Sequence, residues 1–198
     1  MAKMNRLERW LVNRRTEARA RRTLDRLGTN LRILPGARVV ELGGGAGGML
    51  AQLYERYHPA QLVGTDFDAD QISVARGYLT ARWGALPAAI ELRTADALDL
   101  PFPEGSFDVV VALMMLHHVE EKVAQYARRP RALLEVRRVL RPGGQFVYSD
   151  FSRRRELRRS LADLGFTPQF LRSGVRVDLA IFRAPGPSAA PTSPVNPG

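Results

Sequence analysis

Arg38-Val39-Val40-Glu41-Leu42-Gly43-Gly44-Gly45-Ala46-Gly47-Gly48-Met49-Leu50 is the stretch that decides the fold. It reads as a short apolar strand, a glycine loop and the first turn of a helix whose Leu50, Leu53 and Tyr54 stand at helical spacing. Glycine is needed where a backbone turns tightly or meets a ligand with no Cβ in between. Five glycines within six positions at a strand-to-helix junction predict a small-molecule pocket at the carboxyl end of a parallel sheet.

The same letters fit two fingerprints. Gly43-x-Gly45-x-x-Gly48 is the dinucleotide pattern, and Gly43-x-Gly45-x-Gly47 preceded by Glu41 is the pattern of S-adenosylmethionine (SAM) pockets. The loop alone does not choose between them, and a glycine-rich turn without a ligand would carry the same residues. The rest of the chain has to decide.

Beyond the loop, strands and helices alternate. The spacing predicts strands at 38–42, 61–66, 89–94, 107–113 and 145–149, with the fourth apolar throughout, as in a central parallel strand. Helices are predicted at about 47–57 and 69–82, at 132–140, stopped by Arg141-Pro142-Gly143-Gly144, and at 153–164, capped by Gly165. Segments 167–171 and 175–182 read as a closing antiparallel pair. The fold class is therefore α/β: a doubly wound, Rossmann-like sheet, mostly parallel, with a terminal antiparallel hairpin and helices on both faces.

Three regions follow. Residues 1–30 form a basic amphipathic helix, its stripe made by Met4, Leu7, Leu11, Ala18, Leu24 and Leu27, that packs on the domain or covers the pocket as a lid. Residues 31–183 form the ligand-binding domain. Residues 184–198 are Pro/Ala-rich and are expected to be a disordered tail.

Composition narrows the chemistry. The 198 residues contain no Cys, which excludes disulfides, thiolate metal sites and cysteine nucleophiles. No metal-ligand cluster stands out. With no long apolar run and no signal-peptide pattern, a soluble cytoplasmic protein is the expectation. The net charge of +10 rests on Arg, with Lys only at 3 and 122. It is compatible with nucleic acid, a peripheral membrane contact or an acidic substrate, but a general preference for Arg and Ala produces the same balance.

Two carboxylates stand out. Asp66 ends the second strand, 23 residues after Gly43, where it can accept from both hydroxyls of a ribose or cap the next helix. Asp68 or Asp70 can do the capping instead. Asp96 follows the third strand and is either a turn residue or an acceptor for an adenine amino group, with the Ala97 amide beside it.

Five motifs then occur in order: Val40-Glu41-Leu42-Gly43-x-Gly45-x-Gly47; Gly64-Thr65-Asp66; Asp96-Ala97-x-x-Leu100-Pro101-Phe102-x-x-x-Ser106-Phe107-Asp108; Leu116-His117-His118-Val119; and Arg138-Val139-Leu140-Arg141-Pro142-Gly143-Gly144. Over residues 36–183 the series resembles the class I SAM-dependent methyltransferases, especially the small-molecule branch that includes the quinone-biosynthesis C-methyltransferases. The resemblance implies SAM as cofactor, with S-adenosylhomocysteine as product, and a small or lipid-like acceptor methylated at O, N or C. It implies that Gly43, Gly45 and Gly47 admit the methionine part, and that Glu41 and the Ala112 carbonyl hold its ammonium. By the same resemblance Asp66 binds the ribose, Phe67 and Gln71 flank the adenine, and Asp96 and Ala97 read its edge. His117 and His118 lie beside the expected transfer site, as base, substrate-positioning group or structural pair; Tyr148 and Asp150 are weaker candidates.

The chain departs from the family at Gln71, where an apolar side chain is usual, and at Gly44, where Cys or Ser is common. Asp150 also runs almost directly into the next helix, without the helices that often cover the substrate. The roof is left to the N-terminal helix, to residues 119–131, to a second subunit as in a homodimer, or to nothing. An open, arginine-rimmed site would admit a large or anionic substrate, although the arginines of 153–164 read first as a solvated face. Two alternatives stay in view. An NAD(P)-dependent oxidoreductase would need a Tyr/Lys pair that is not found, and an RNA-directed or non-catalytic SAM-binding member of the fold would use the arginines on phosphates.

Overall fold

A computed structural model describes residues 6–120, 128–151, 154–174 and 177–186, with backbone alone at 6–15, 120 and 128–129. The strands are β1 (Arg38–Leu42), β2 (Gln61–Asp66), β3 (Ile90–Thr94), β4 (Phe107–Leu113), β5 (Leu140–Asp150), β6 (Thr167–Ser173) and β7 (Asp178–Arg183). The helices are α1 (Arg6–Leu27), α2 (Gly48–Tyr57), α3 (Ala69–Trp83), α4 (Arg128–Val139) and α5 (Arg154–Asp163). The seven strands form one sheet in the order β3-β2-β1-β4-β5-β7-β6. β1 pairs in parallel with β2 and β4, and β7 lies antiparallel between β5 and β6. Strand order reverses between β1 and β4, and a crevice opens beyond the carboxyl ends of strands at such a point.

Alternation along each strand sends side chains to two cores. Val40, Leu42, Val110, Ala112, Phe146 and Tyr148 pack with α4 and α5. Val39, Val109, Val111 and Val147 pack with α1, α2 and α3 on the other face. Glu41 shares the second face with Val39, because strand periodicity is two.

Three details differ from the sequence expectation. β5 begins at Leu140, before the Pro-Gly-Gly turn: Leu140 pairs with Phe107, and the ladder resumes at Gln145–Val109 after a register shift. In α1 the inward stripe is Ala20, Leu24 and Leu27, while Ala18 is exposed, because six residues from Leu24 is the far side of a helix. Glu17, seven residues before Leu24, points inward and accepts from Gln52 at 3.1 Å and from the Tyr78 hydroxyl at 2.6 Å, tying α1 to α2 and α3. The side chains of Met4, Leu7 and Leu11 and the tail beyond Gly186 lie outside the described residues. Ala184, where that tail was expected to begin, is buried and donates to the Gly144 carbonyl.

Two glycines behind the crevice set its shape. A Cβ on Gly48 would stand 2.9 Å from the Glu17 nitrogen, so the first turn of α2 packs directly on the α1 backbone. A Cβ on Gly64 in β2 would overlap Leu50 Cδ1, so α2 lies close against the sheet.

Candidate active site

The glycine loop leaves β1 and is pinned from one side. The Gly44 amide donates to the Thr65 carbonyl at 2.9 Å, and the Gly47 amide closes the turn onto the Gly44 carbonyl at 3.1 Å. Gly43, Gly45 and Gly47 have φ of +66°, +52° and +82°, a region that a Cβ penalises. At Gly43 a Cβ would also come within 2.6 Å of Met115 Cβ. Glycine here answers to conformation and to close packing together.

Glu41 lies directly below the loop, 3% exposed. Its Oε2 has no hydrogen-bond partner among the described residues, and a Cβ on Gly44 would approach that oxygen to 3.0 Å. Burial, with the Asp66 carboxylate nearby as a second cause, pushes the Glu41 carboxyl up to about 8. A buried carboxyl with an unfilled acceptor is costly, and a cationic group in the crevice would relieve the cost.

Asp66 sits at the carboxyl end of β2, half-buried, and accepts from the Gly45 amide (3.0 Å, Oδ2) and the Asp68 amide (3.0 Å, Oδ1). Asp68 caps α3 by accepting from the Asp70 amide at 2.8 Å, so the capping duty falls outside Asp66. Asp66 is thus the hinge between loop and strand, and each carboxylate oxygen keeps a further lone pair. Phe67, 76% exposed, and the exposed Gln71 stand beside it; Gln71 Oε1 lies 3.9 Å from where a Gly45 Cβ would be.

Asp96 is exposed and organises a turn, its Oδ1 accepting from the Leu98 amide at 2.9 Å. Half-buried Ala97 follows it. The loop is held from α4: Arg138 donates to the Phe102 carbonyl at 2.6 Å and the Leu100 carbonyl at 2.8 Å, while Glu135 accepts from the Leu100 amide at 2.7 Å. The Arg138 motif and the Asp96 motif, distant in sequence, therefore form one unit. Sequence reasoning assigned Arg138 no such task, because only the fold brings the two together.

Ala112 is fully buried near the end of β4, opposite Leu42 of β1. Beyond the strand, Met114 takes φ +55°, its amide donating to the Ser149 carbonyl at 2.7 Å, and this turn lays Met115 over Gly43. A non-glycine residue in this region is strained, and such strain gathers at functional sites. Nothing in Leu-Met-Met-Leu signals it.

The two histidines differ in environment. His117 Nδ1 lies 3.2 Å from Asp150 Oδ2, and the His117 amide meets the same oxygen at 3.2 Å. Asp150 is 1% exposed and also accepts from the Phe151 amide. His118 is exposed, its ring centroid 4.0 Å from that of His117; the Phe151 ring stands 4.3 Å away on His117. Tyr148 is fully buried between Phe146 and Phe182, in the core beneath the crevice. A separate cavity of about 280 Å³ between Ala37, Asp108, Arg141 and Gln145 opens at the amino ends of the strands, away from all these groups.

Residues 40–148 match the family described as a methyltransferase domain. The chain belongs to that family, within the class I SAM-dependent group. This methyltransferase domain is 37% identical over 131 residues to the fatty-acid O-methyltransferase of Mycolicibacterium smegmatis, covering 65% of the chain and 43% of the relative. It is 36% identical over 116 residues to the demethylmenaquinone methyltransferase of Thermus thermophilus, covering 58% and 47% respectively. A SAM-dependent methyltransferase from Aquifex aeolicus shares its fold, with a TM-score of 0.69 at 16% identity over 91% of this chain and 99% of that one. The chain spans about half the length of the curated relatives it matches. None of the described helices is long and apolar enough to cross a membrane.

Proposed function

We propose that this domain binds SAM in the crevice between β1 and β4 and transfers its methyl group to O, N or C of a small or lipid-like acceptor. The observation that carries the reading is Glu41, a buried carboxyl with an orphaned oxygen under a glycine loop that a cation can approach. The residues fit the cofactor. Glu41 and the Ala112 carbonyl would take its ammonium, and Gly43, Gly45 and Gly47 would admit its methionine chain. Asp66 would accept from the ribose, Phe67 and Gln71 would flank the adenine, and Asp96 and Ala97 would meet its edge.

When bound, the cofactor supplies an electrophilic methyl group on a sulfonium, so the protein has to orient an acceptor and keep water away. His117 is better suited than His118 to serve the acceptor. The Asp150 carboxylate holds a proton on Nδ1 and leaves Nε2 as an acceptor for the proton of a hydroxyl, amine or acidic carbon. Relatives named for fatty acids and for demethylmenaquinone support a small or lipid-like acceptor. The three-region division at 1–30, 31–183 and 184–198 belongs to this reading, with α1 buttressing α2 behind the loop.

Calorimetric titration with SAM, S-adenosylhomocysteine and NADH in parallel tests the assignment. Binding of the first two and not the third is expected. Binding of NADH alone would return the dinucleotide reading, and binding of none would mark a degenerate pocket.

A further inference from the structure

The helix after β5 carries arginines that the sequence alone assigns to solvent, and the structure divides them. Leu157 and Leu161 are fully buried, as the helical spacing requires. Arg154 and Arg158, one turn apart, are only about a third exposed and converge on Asp178, at 3.2 Å and 3.7 Å. Arg154 also donates to the Gly174 carbonyl at 2.6 Å. Asp178 is completely buried at the start of β7, directly across the ladder from Asp150, the residue that orients His117. One carboxylate thus anchors two guanidiniums, and the pair keeps an excess positive charge.

Arg155 stands beside them, exposed, with no ion-pair or hydrogen-bond partner among the described residues. The three arginines, Phe151, Ser173 and Gly174 line an open cavity of about 610 Å³, and among the described residues Glu156 is the one acidic group in its lining. Its apolar wall, Phe151, is 47% exposed and is the same ring that stacks on His117. Beneath lie two further orphans: Tyr148 Oη and Asp178 Oδ2 are buried and lack hydrogen-bond partners among the described residues. Burial above all, and then the Asp178 and Asp150 carboxylates against an opposing Arg158, push the Tyr148 hydroxyl above its ordinary range, which places it in the same electrostatic neighbourhood.

We propose that this cavity is the acceptor subsite for an oxyanion: Arg155, with Arg154 and Arg158 behind it, holds the carboxylate or phosphate of an amphipathic acceptor while Phe151 carries its chain toward His117. The inference rests on the methyl-transfer reading for its reaction, but its binding chemistry is independent of it. Guanidinium forks recognise carboxylate and phosphate through paired, charge-assisted hydrogen bonds. Arg154 and Arg158 are immobilised by Asp178 in advance, so little ordering remains to be done when the anion arrives.

The test uses the full chain saturated with S-adenosylhomocysteine, and titrates dodecanoate, dodecyl phosphate and dodecanol below their aggregation limits. Arg155→Glu is the variant of choice because Arg155 is exposed and bonded to nothing described, whereas changing Arg154 or Arg158 would strand buried Asp178. Dodecanoate or dodecyl phosphate, whichever oxyanion fits, should bind the wild type, and Arg155→Glu should weaken it by roughly tenfold. The same complex should weaken with added salt, while dodecanol affinity stays level in both proteins. Arg155→Ala should fall between the two. Dodecanol binding as tightly as the anions, unchanged anion affinity in Arg155→Glu, or no anion binding at all would overturn the proposal. If S-adenosylhomocysteine does not bind but an anion does, in an Arg155-dependent way, the subsite stands and the methyl-transfer reading fails.

Discussion

The half of the crevice formed by β1, β2 and β3 is built from backbone, and the half formed by β4, β5 and β7 is built from side chains. On the first side, turn geometry does the shaping: three positive-φ glycines, a loop amide on the Thr65 carbonyl, and Asp66 accepting from two amides. On the second side, buried acids position the polar side chains, with Asp150 under His117 and Asp178 under Arg154 and Arg158. Each half keeps buried carboxyl groups, and among the described residues Glu41 and Asp178 each leave one oxygen without a hydrogen bond; burial pushes the Glu41 carboxyl toward neutrality, while two guanidiniums face Asp178. A backbone-built half suits a ligand whose structure does not change. The side-chain half can be re-specified by single substitutions, which is why the proposed function puts acceptor choice there.

The contrast can be broken first at His117. If the side-chain half serves the acceptor, His117→Ala should lower kcat on the order of a hundredfold and leave S-adenosylhomocysteine affinity within about twofold. Equal losses in both quantities would show that the two halves are not separable. Asp66→Ala is the converse experiment. Losing charged acceptors for the ribose should weaken SAM binding by about a hundredfold, with a stability cost of about 1 kcal/mol for the amides of Gly45 and Asp68. Unchanged affinity by calorimetry would move the ribose away from β2.

The smallest effect is a pH dependence. Because the Glu41 carboxyl is raised from 4.5 to about 8, the folded ligand-free protein holds a proton that the unfolded chain has released over that interval. Stability from this group is therefore full below about 4.5 and declines as pH rises to about 8. Glu41→Gln should remove that decline, which denaturant titrations at pH 5, 7 and 9 would reveal as a flatter profile. In the wild type, binding of an ammonium at pH 7 should release up to one proton, read from titrations in buffers of different ionisation enthalpy; no release would detach Glu41 from the ligand.

Legibility in the sequence followed the same division. The glycine loop could be read because Gly is the residue that tolerates φ near +60° and a missing Cβ, and the strands could be read because apolar alternation is local. Asp66 and Asp96 could be located because one ends β2 and the other lies two residues past β3. The role of Asp150 could not be read, because it depends on a turn through Met114 and on a chain separation of 33 residues. The split among the arginines of α5 was hidden for the same reason: Asp178 is 24 residues from Arg154 and meets it only through the antiparallel ladder. Ala18 was misassigned by helical phase, which a stripe of small and mixed residues defines poorly.

Gly64 touches no candidate ligand position, yet its missing side chain lets Leu50 settle against β2 and brings α2 down onto the sheet. The glycine loop hangs between the two, so its aperture is dictated from the rear by the thickness of one methyl group. That makes position 64 a tuning screw. Changes there would act on the crevice from behind, through the seating of α2, without altering any atom that faces it.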